Sequence, residues 1–144
     1  SVLSCTPPTP SQTSMKFAIS VHAAPGTPAS RRALRFCQAV LAGQHEIVRL
    51  FFYQDGVYNA CNSLVVPQDE ADIALQWREL IQSHQLDSVV CIAAALRRGV
   101  LDKEEADRHE RPHASVSPPW ELSGLGQLHD AIQSADRLVC FGGH

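Results

Sequence analysis

The sequence lacks an excess of positive charge, a pair of cysteines at C-x-x-C spacing and a long apolar run. Its 12 basic and 15 acidic side chains give a formal net charge of −3 and are dispersed along the chain, so a nucleic-acid surface is not predicted. The five cysteines are odd in number and irregularly spaced, which argues against a disulfide framework and a zinc ribbon. No stretch approaches the length of a membrane span. We therefore expect a soluble, cytoplasmic protein with free thiols.

The first fourteen residues differ from the rest of the chain. Residues 1–14 carry no charge, are mostly Ser, Thr and Pro, and show no apolar periodicity. We interpret them as a disordered extension or an expression remnant, since they also lack the basic and apolar regions of a secretory signal. Met15 is then the expected native start. Residues 15–144 contain one continuous series of apolar segments and are expected to form a single domain.

Apolar runs that are typical of strands alternate with helical patterns. Strands are expected at 16–21, 47–53, 88–92 and 137–141. Between the first two, Thr27 and Pro28 supply an N-cap and an N1 proline for a helix that ends at Gly43. Asp55-Gly56 is expected to turn the chain into a loop through Tyr58, Asn59 and Cys61.

Three further helices complete the pattern. Asp69 is the expected cap of a helix with Ile73, Trp77, Leu80 and Ile81 on one side. Asp102 and Glu105 have capping-box-like spacing for a short helix that ends before Pro112. The last helix carries Leu128, Ala131, Ile132 and Ala135. Alternation of this kind predicts an α/β fold, specifically a flavodoxin-like three-layer sandwich with a five-stranded, mainly parallel sheet and helices on both faces.

Cys91 is the strongest candidate for a reactive residue. It ends the apolar run Ser88–Ile92 and directly precedes a possible helical turn, so it is expected at the carboxyl end of a parallel strand, where open α/β sheets bind ligands. A following helix N-terminus or guanidinium would favour the nucleophilic thiolate. The alternative is that Cys91 is a small buried core residue, as free cysteines often are.

The other candidate sites are weaker. Cys37 and Cys140 are interpreted as core residues, and Cys61 is a minor candidate for a second, resolving thiol. Arg97 and Arg98 are a candidate anion or interface patch, of which at most one residue faces Cys91. The loop after Gly26 has the hydroxyls and backbone N–H groups of a phosphate loop, but an ordinary helix cap explains it equally well. The histidines lack a metal-ligand spacing, so no metal is predicted; they are His22, His45, His84, His109, His113, His129 and His144.

Four segments, in order along the chain, resemble one known family. They are KFAI at 16–19, FFYQDGVYNA at 51–60, VCIAAALRRGV at 90–100 and LSGLGQL at 122–128. In these segments the sequence resembles the DsrE/TusD family of sulfur-relay proteins, and the resemblance spans Met15 to about Phe141. It implies a flavodoxin-like subunit that carries sulfur as a persulfide, with no cofactor or metal, and it assigns the family's active cysteine to Cys91.

The resemblance also implies partners. In the TusD branch, a subunit of this kind joins TusB-like and TusC-like siblings in a heterohexamer, accepts sulfur from a TusA-like donor and passes it towards a TusE-like acceptor for 2-thiouridine formation at the tRNA wobble position. Neither nucleic acid nor a membrane is contacted directly. In the DsrE branch, similar hexamers serve oxidative sulfur metabolism. We expect such an assembly here, and its interface is expected to use the bulky aromatic residues Phe51, Phe52, Tyr53 and Trp120.

Two functions of other classes stay open at this point. A non-catalytic scaffold subunit of the same assembly would keep the fold without needing a thiol at position 91. A small electron carrier would bind flavin through the Gly26 loop. A TusD-like sulfurtransferase that acts through Cys91 is the preferred hypothesis.

Overall fold

The computed structural model describes residues 14–142, in which five strands alternate with helices. The predicted extension at residues 1–14 lies outside the described residues, apart from Ser14. The elements are β1 Lys16–Val21, α1 Pro28–Ala42, β2 Glu46–Phe52, a 3-10 helix Gln54–Ala60, α2 Ile73–His84, β3 Ser88–Cys91, α3 Ile92–Arg97, α4 Lys103–Arg108, β4 Glu121–Ser123, α5 Gly126–Ser134 and β5 Arg137–Phe141.

The five strands form one sheet in the order β4-β3-β2-β1-β5, and every pairing is parallel. From β1 to β4 the chain steps in one direction, and it then returns past β1 to add β5. Because parallel crossovers are right-handed, this reversal places α5 on the face opposite α1 and α2. Arg49 of β2 fixes α5 there by donating to the Gln127 carbonyl over 2.8 Å. The predicted three-layer α/β fold is confirmed.

The core between the sheet and α1 and α2 is built around aromatic side chains. The Phe52 ring makes edge contacts with Trp77 and Trp120, with ring centroids 5.2 and 4.8 Å apart. Phe51 and Phe52 are fully buried, and Trp120 is 6% exposed. The expectation that these residues are surplus to the core and available for an interface is therefore wrong for three of the four aromatics. Tyr53, the fourth, is half-buried.

Three details of the chain differ from the sequence-based expectation. The cap of α2 is Asp72, whose side chain accepts a hydrogen bond from the Leu75 N–H over 3.1 Å, and not Asp69. The expected loop after Asp55-Gly56 is wound into the 3-10 helix. The short β4 completes the sheet beside β3, in a segment where the apolar pattern predicts no strand. None of the helices within residues 14–142 is long and apolar enough to span a bilayer.

Candidate active site

Cys91 lies at the junction that the sequence predicts. It is the last residue of β3 and the N-cap residue of α3, with extended backbone angles of φ −62° and ψ 117°. In the parallel register its Cα partner on β4 is Ser123. The side chain makes no capping hydrogen bond, and the residue is only 2% exposed. The thiol therefore stands at the carboxyl edge of the sheet but is closed off from solvent in the single chain.

The register of the sheet defines which side chains share a face with Cys91. Val89, two residues earlier on β3, is the partner of Phe51 on β2. Since side chains alternate along a strand, Cys91 lies on the same face as Val89, and Tyr53 lies on the same face as Phe51. In the sheet, Cys91 therefore lies between the end of β2, which Tyr53 follows, and Ser123 of β4.

The 3-10 helix packs against β3 and α3 beside this thiol, and two residues anchor it. A Cβ added at Gly56 would come within 2.8 Å of the Val21 carbonyl carbon, so only glycine allows this close approach to the end of β1. Asn59 is 1% exposed. Its amide donates to the carbonyls of Ala23 and Gly56, both over 2.9 Å, and accepts from the Ser30 hydroxyl over 3.1 Å.

These anchors were not found from the sequence. The sequence pattern predicts only a loop at Gly56 and Asn59, because their roles depend on the approach of β1 and α1, which are distant in the chain. The polar pattern Asp55-Gly56 signals a turn but does not show what the turn touches. The pair nevertheless makes the 3-10 helix a fixed wall of the Cys91 surroundings.

The second wall is α3, which is six residues long. Only Ala94 and Ala95 are buried within it, whereas Ala93 and Arg97 are exposed. Arg98, just after the helix, donates through Nε to Asp55 over 3.0 Å and through a terminal nitrogen to the Ala94 carbonyl over 3.1 Å. Among the described residues, this is the ion pair that joins α3 to the 3-10 helix.

The two candidate arginines therefore have different roles. Arg98 is an ion-pair partner of Asp55, and Arg97 points to solvent without an ion-pair partner among residues 14–142. The hydrogen bonds of Arg98 go to Asp55 and Ala94 and not to the Cys91 thiol.

The remaining described cysteines fall into three environments. Cys37 is fully buried on α1, as predicted, and burial raises the pKa of its thiol to about 12. Cys140 is exposed, so its interpretation as a core residue is wrong. It lies on the edge strand β5, next to Ser20 in the register. Cys61 is partly exposed after the 3-10 helix, with its sulfur 3.1 Å from the Ser63 hydroxyl.

The Gly26 loop lies at the other end of the same sheet edge, where β1 meets β5. Thr27 Oγ1 accepts from the Ser30 N–H over 3.2 Å and donates to the Ala24 carbonyl over 2.8 Å, so the helix-cap interpretation accounts for its hydroxyl. Beside the loop lies an open hollow of about 610 Å³, lined in part by His22, Arg32 and Asp55.

The histidines do not gather into a metal site within the described part of the chain. No three or more His, Cys, Asp and Glu side chains between residues 14 and 142 lie close enough together to hold one ion. His109 instead faces the buried Glu105 at 3.5 Å. His22 bonds to the Ser20 hydroxyl over 2.7 Å and stacks edge-on against Tyr53.

Comparison with known proteins identifies the family to which the chain is related. The profile of the DsrE/DsrF-like family matches residues 15–141. The chain belongs to this family. The sulfurtransferase TusD homolog of Pseudomonas aeruginosa is 67% identical over 129 residues, which cover 90% of this chain and 98% of that protein. The putative sulfurtransferase DsrE of Allochromatium vinosum is 46% identical over 129 residues, with 89% and 99% covered.

A solved structure has the same fold. The crystal structure of the ychN protein from E. coli superposes with a TM-score of 0.66 at 17% identity, covering 89% of this chain and 99% of that one. At this identity the likeness concerns the fold alone. The predicted resemblance to the DsrE/TusD family is confirmed. Because a sulfurtransferase TusD homolog matches 90% of this chain, the chain is a sulfurtransferase.

Proposed function

We propose that this protein is a TusD-type sulfur-relay subunit in which Cys91 is the sulfur-carrying residue. The 67% identity to a TusD homolog is the observation that carries this proposal. The position of Cys91 at the carboxyl edge of a parallel sheet supports it, because ligands of open α/β sheets meet the protein at this edge. Cys37 is a poor alternative, since burial raises the pKa of its thiol to about 12 and so disfavours the nucleophilic thiolate.

The proposed chemistry is two thiol exchanges in sequence. In loading, the Cys91 thiolate attacks the outer sulfur of a donor persulfide, the donor S–S bond breaks, and the donor leaves as a thiolate. In unloading, an acceptor thiolate attacks the outer sulfur of the Cys91 persulfide, and Cys91 is released as a thiolate. One sulfur atom moves in each step and no net oxidation occurs, so neither a metal nor an organic cofactor is required.

The proposed setting is that of the TusD branch. TusB-like and TusC-like siblings form the assembly, a TusA-like protein supplies sulfur and a TusE-like protein receives it, in the cytoplasm and for 2-thiouridine synthesis at the tRNA wobble position. Residues 15–144 form the single sulfur-carrying domain. The chain does not contact tRNA itself, in keeping with its net charge of −3.

The proposal is tested by sulfur loading. The chain is incubated with a cysteine desulfurase, free cysteine and a TusA-like carrier, and its peptides are weighed. We expect a gain of about 32 Da, one sulfur atom, on the peptide that contains Cys91. Cys91→Ser should keep its fold and lose the label, because a hydroxyl of similar size is a far weaker nucleophile.

The matched control is Cys61→Ser, which should load normally. A label that persists in Cys91→Ser, or one that maps to Cys61, would show that the assignment of Cys91 is wrong.

A second candidate function is favoured by the 46% identity to a putative sulfurtransferase DsrE. In this case the same thiol chemistry would serve oxidative sulfur metabolism. The neighbouring reading frames separate the two. Two small sibling subunits alone indicate tRNA thiolation, whereas adjacent dissimilatory sulfite reductase genes indicate sulfur oxidation. The scaffold hypothesis would return if Cys91 resisted alkylation altogether, and an absence of flavin absorbance in the purified protein would remove the electron-carrier hypothesis.

A further inference from the structure

The burial of Cys91 poses a steric problem for sulfur transfer. With 2% of the residue exposed, a thiol on another protein cannot reach the sulfur atom for an in-line exchange. Some part of the wall around Cys91 therefore has to move. The elements that pack around the end of β3 include β4, the 3-10 helix and α3.

The anchoring of these elements differs, and the difference indicates which of them moves. The 3-10 helix is fixed to β1 and α1 through the close approach of Gly56 to the Val21 carbonyl and through the two hydrogen bonds that Asn59 makes to Ala23 and Ser30. In contrast, the only fully buried residues of α3 are the alanines Ala94 and Ala95, which bury little apolar surface, and its larger side chains Ile92 and Leu96 are only partly buried. Gly99 follows it with a φ of +72°, and the N–H groups of Gly99 and Val100 bond back to the Leu96 and Ala95 carbonyls over 3.2 and 2.9 Å, so α3 ends in a closed left-handed cap.

One polar contact holds α3 to the fixed wall. The Arg98 guanidinium bonds both to its own helix, at the Ala94 carbonyl, and to Asp55 on the 3-10 helix. The Asp55 side chain is 62% exposed and that of Arg98 is 26% exposed. An ion pair at the surface is weak and reversible, since solvent competes for both partners.

We propose that α3 is a movable cover over the Cys91 thiol and that the Arg98–Asp55 ion pair holds this cover closed. The inference rests on the proposed function, in which another protein must reach Cys91. In this arrangement Asp55 and Arg98 are positioning residues. They do not touch the sulfur, but they set how often it becomes accessible.

The test is native-state alkylation with iodoacetamide, followed cysteine by cysteine by peptide mass spectrometry. Each cysteine is compared only with itself between variants, so that differences in intrinsic reactivity cancel. Cys140, which is exposed, reports reagent strength, and Cys37, which is in the core, reports global opening. Iodoacetamide is uncharged, so a change of nearby charge does not attract or repel it.

The Arg98 variant separates a cover from a simple charge effect, whereas both models predict faster alkylation of the Asp55 variant. Asp55→Ala and Arg98→Gln should each raise the Cys91 rate about two- to fivefold, the range expected for loss of a surface ion pair. If the pair acted only through its field on the thiol, loss of the carboxylate would speed alkylation and loss of the guanidinium would slow it. Acceleration by both variants is therefore the signature of the cover.

A double variant, a salt dependence and a control variant complete the test. The double variant should be no faster than the faster single one, because both remove the same interaction. High salt should accelerate the wild type and not the variants. The matched control is Asp107→Ala, which removes the exposed Lys103–Asp107 pair on α4 and should leave the Cys91 rate unchanged.

Several results would contradict the proposal that α3 is a movable cover. They are an unchanged Cys91 rate in both variants, opposite effects of the two, or a parallel rise at Cys37 that signals global destabilisation. A rise of the Cys91 alkylation rate in Asp107→Ala as large as that in Asp55→Ala would also contradict it. The assay needs no sulfur donor, so its failure leaves the sulfur-loading test of Cys91 untouched. Conversely, if sulfur loading failed while the variants changed the Cys91 alkylation rate as expected, the relay function would be rejected and the movement of α3 would stand.

Discussion

Cys37 and Cys140 both come from apolar stretches, yet their surroundings differ. Cys37 faces the sheet from α1 and is fully buried. Cys140 is on β5, an edge strand with β1 on one side, and the residue is exposed. The run Leu138-Val139-Cys140-Phe141 predicts a strand correctly. It does not show that the Leu138 and Cys140 side of that strand stays uncovered, because this depends on where α5 crosses the sheet.

This difference has a measurable consequence for stability. Cys37→Ser places a hydroxyl in the core with no partner at hand and should lower the free energy of unfolding by about 1–3 kcal/mol. Cys140→Ser changes an exposed position and should alter it by less than about 0.5 kcal/mol. Urea unfolding of the two variants measures both values. Equal losses would mean that Cys140 is buried in solution, for example by a second copy.

Among the elements, those with long and regular patterns are the ones that the sequence predicts well. β1, α1 and β5 begin and end where the pattern places them, and the buried side of α2 is the predicted set of residues. The N-terminus of α2 was misjudged, since Asp69 and Asp72 are both plausible caps and only the fold decides between them. β4 has three residues, too few for an alternating pattern to be recognised.

The candidate site was predictable in one part only. A cysteine between a short apolar run and a helical turn marks the carboxyl end of a strand, and Cys91 is there. Its closure, the contact of Asp55 with Arg98 and the hydrogen bonds of Asn59 to Ala23 and Ser30 depend on residues that are tens of positions apart. They follow from tertiary packing, which no local pattern encodes.

The 3-10 helix depends on Gly56, and this can be tested against a matched glycine. Gly56→Ala would press a Cβ against the Val21 carbonyl, so the helix must shift, and we expect a loss of about 1–3 kcal/mol of stability, as for overpacking elsewhere. At Gly124 an added Cβ has open space, and Gly124→Ala should change stability by less than about 1 kcal/mol. Chemical unfolding measures both variants. A Gly56→Ala protein as stable as the wild type would show that the 3-10 helix is loosely held.

At the scale of the whole molecule, the aromatic residues that were expected at an interface are not available for one. Phe51, Phe52 and Trp120 are core residues and cannot form an interface. The large apolar side chains that do remain exposed include Leu125 and Ile132 near α5 and Leu138 on β5, which are 52%, 38% and 42% exposed. The prediction of an assembly therefore depends on likeness to the family. The α5 and β5 side is one exposed apolar region of the described residues, and Leu64, Val65 and Leu75 are exposed elsewhere.

The assembly prediction is checked by light scattering. When this chain is co-expressed with the proposed TusB-like and TusC-like partners, we expect a particle with a mass well above that of one copy of each chain. The chain alone, at the same concentration, is the reference. Elution of this chain as a strict monomer in the presence of both siblings would contradict the prediction.

The strand order also has a consequence for how the protein is made. β1 is an interior strand whose second neighbour, β5, lies at the far end of the sequence; Lys16 and Asp136, which bond where the two strands begin, are 120 positions apart. While the ribosome is still adding residues up to β5, β1 has a free edge, and its apolar side chains are only half covered. Free edges of this kind pair readily with other chains. The nascent protein thus keeps an edge that can aggregate until its last strand emerges, although the Cys91 region has been synthesised well before.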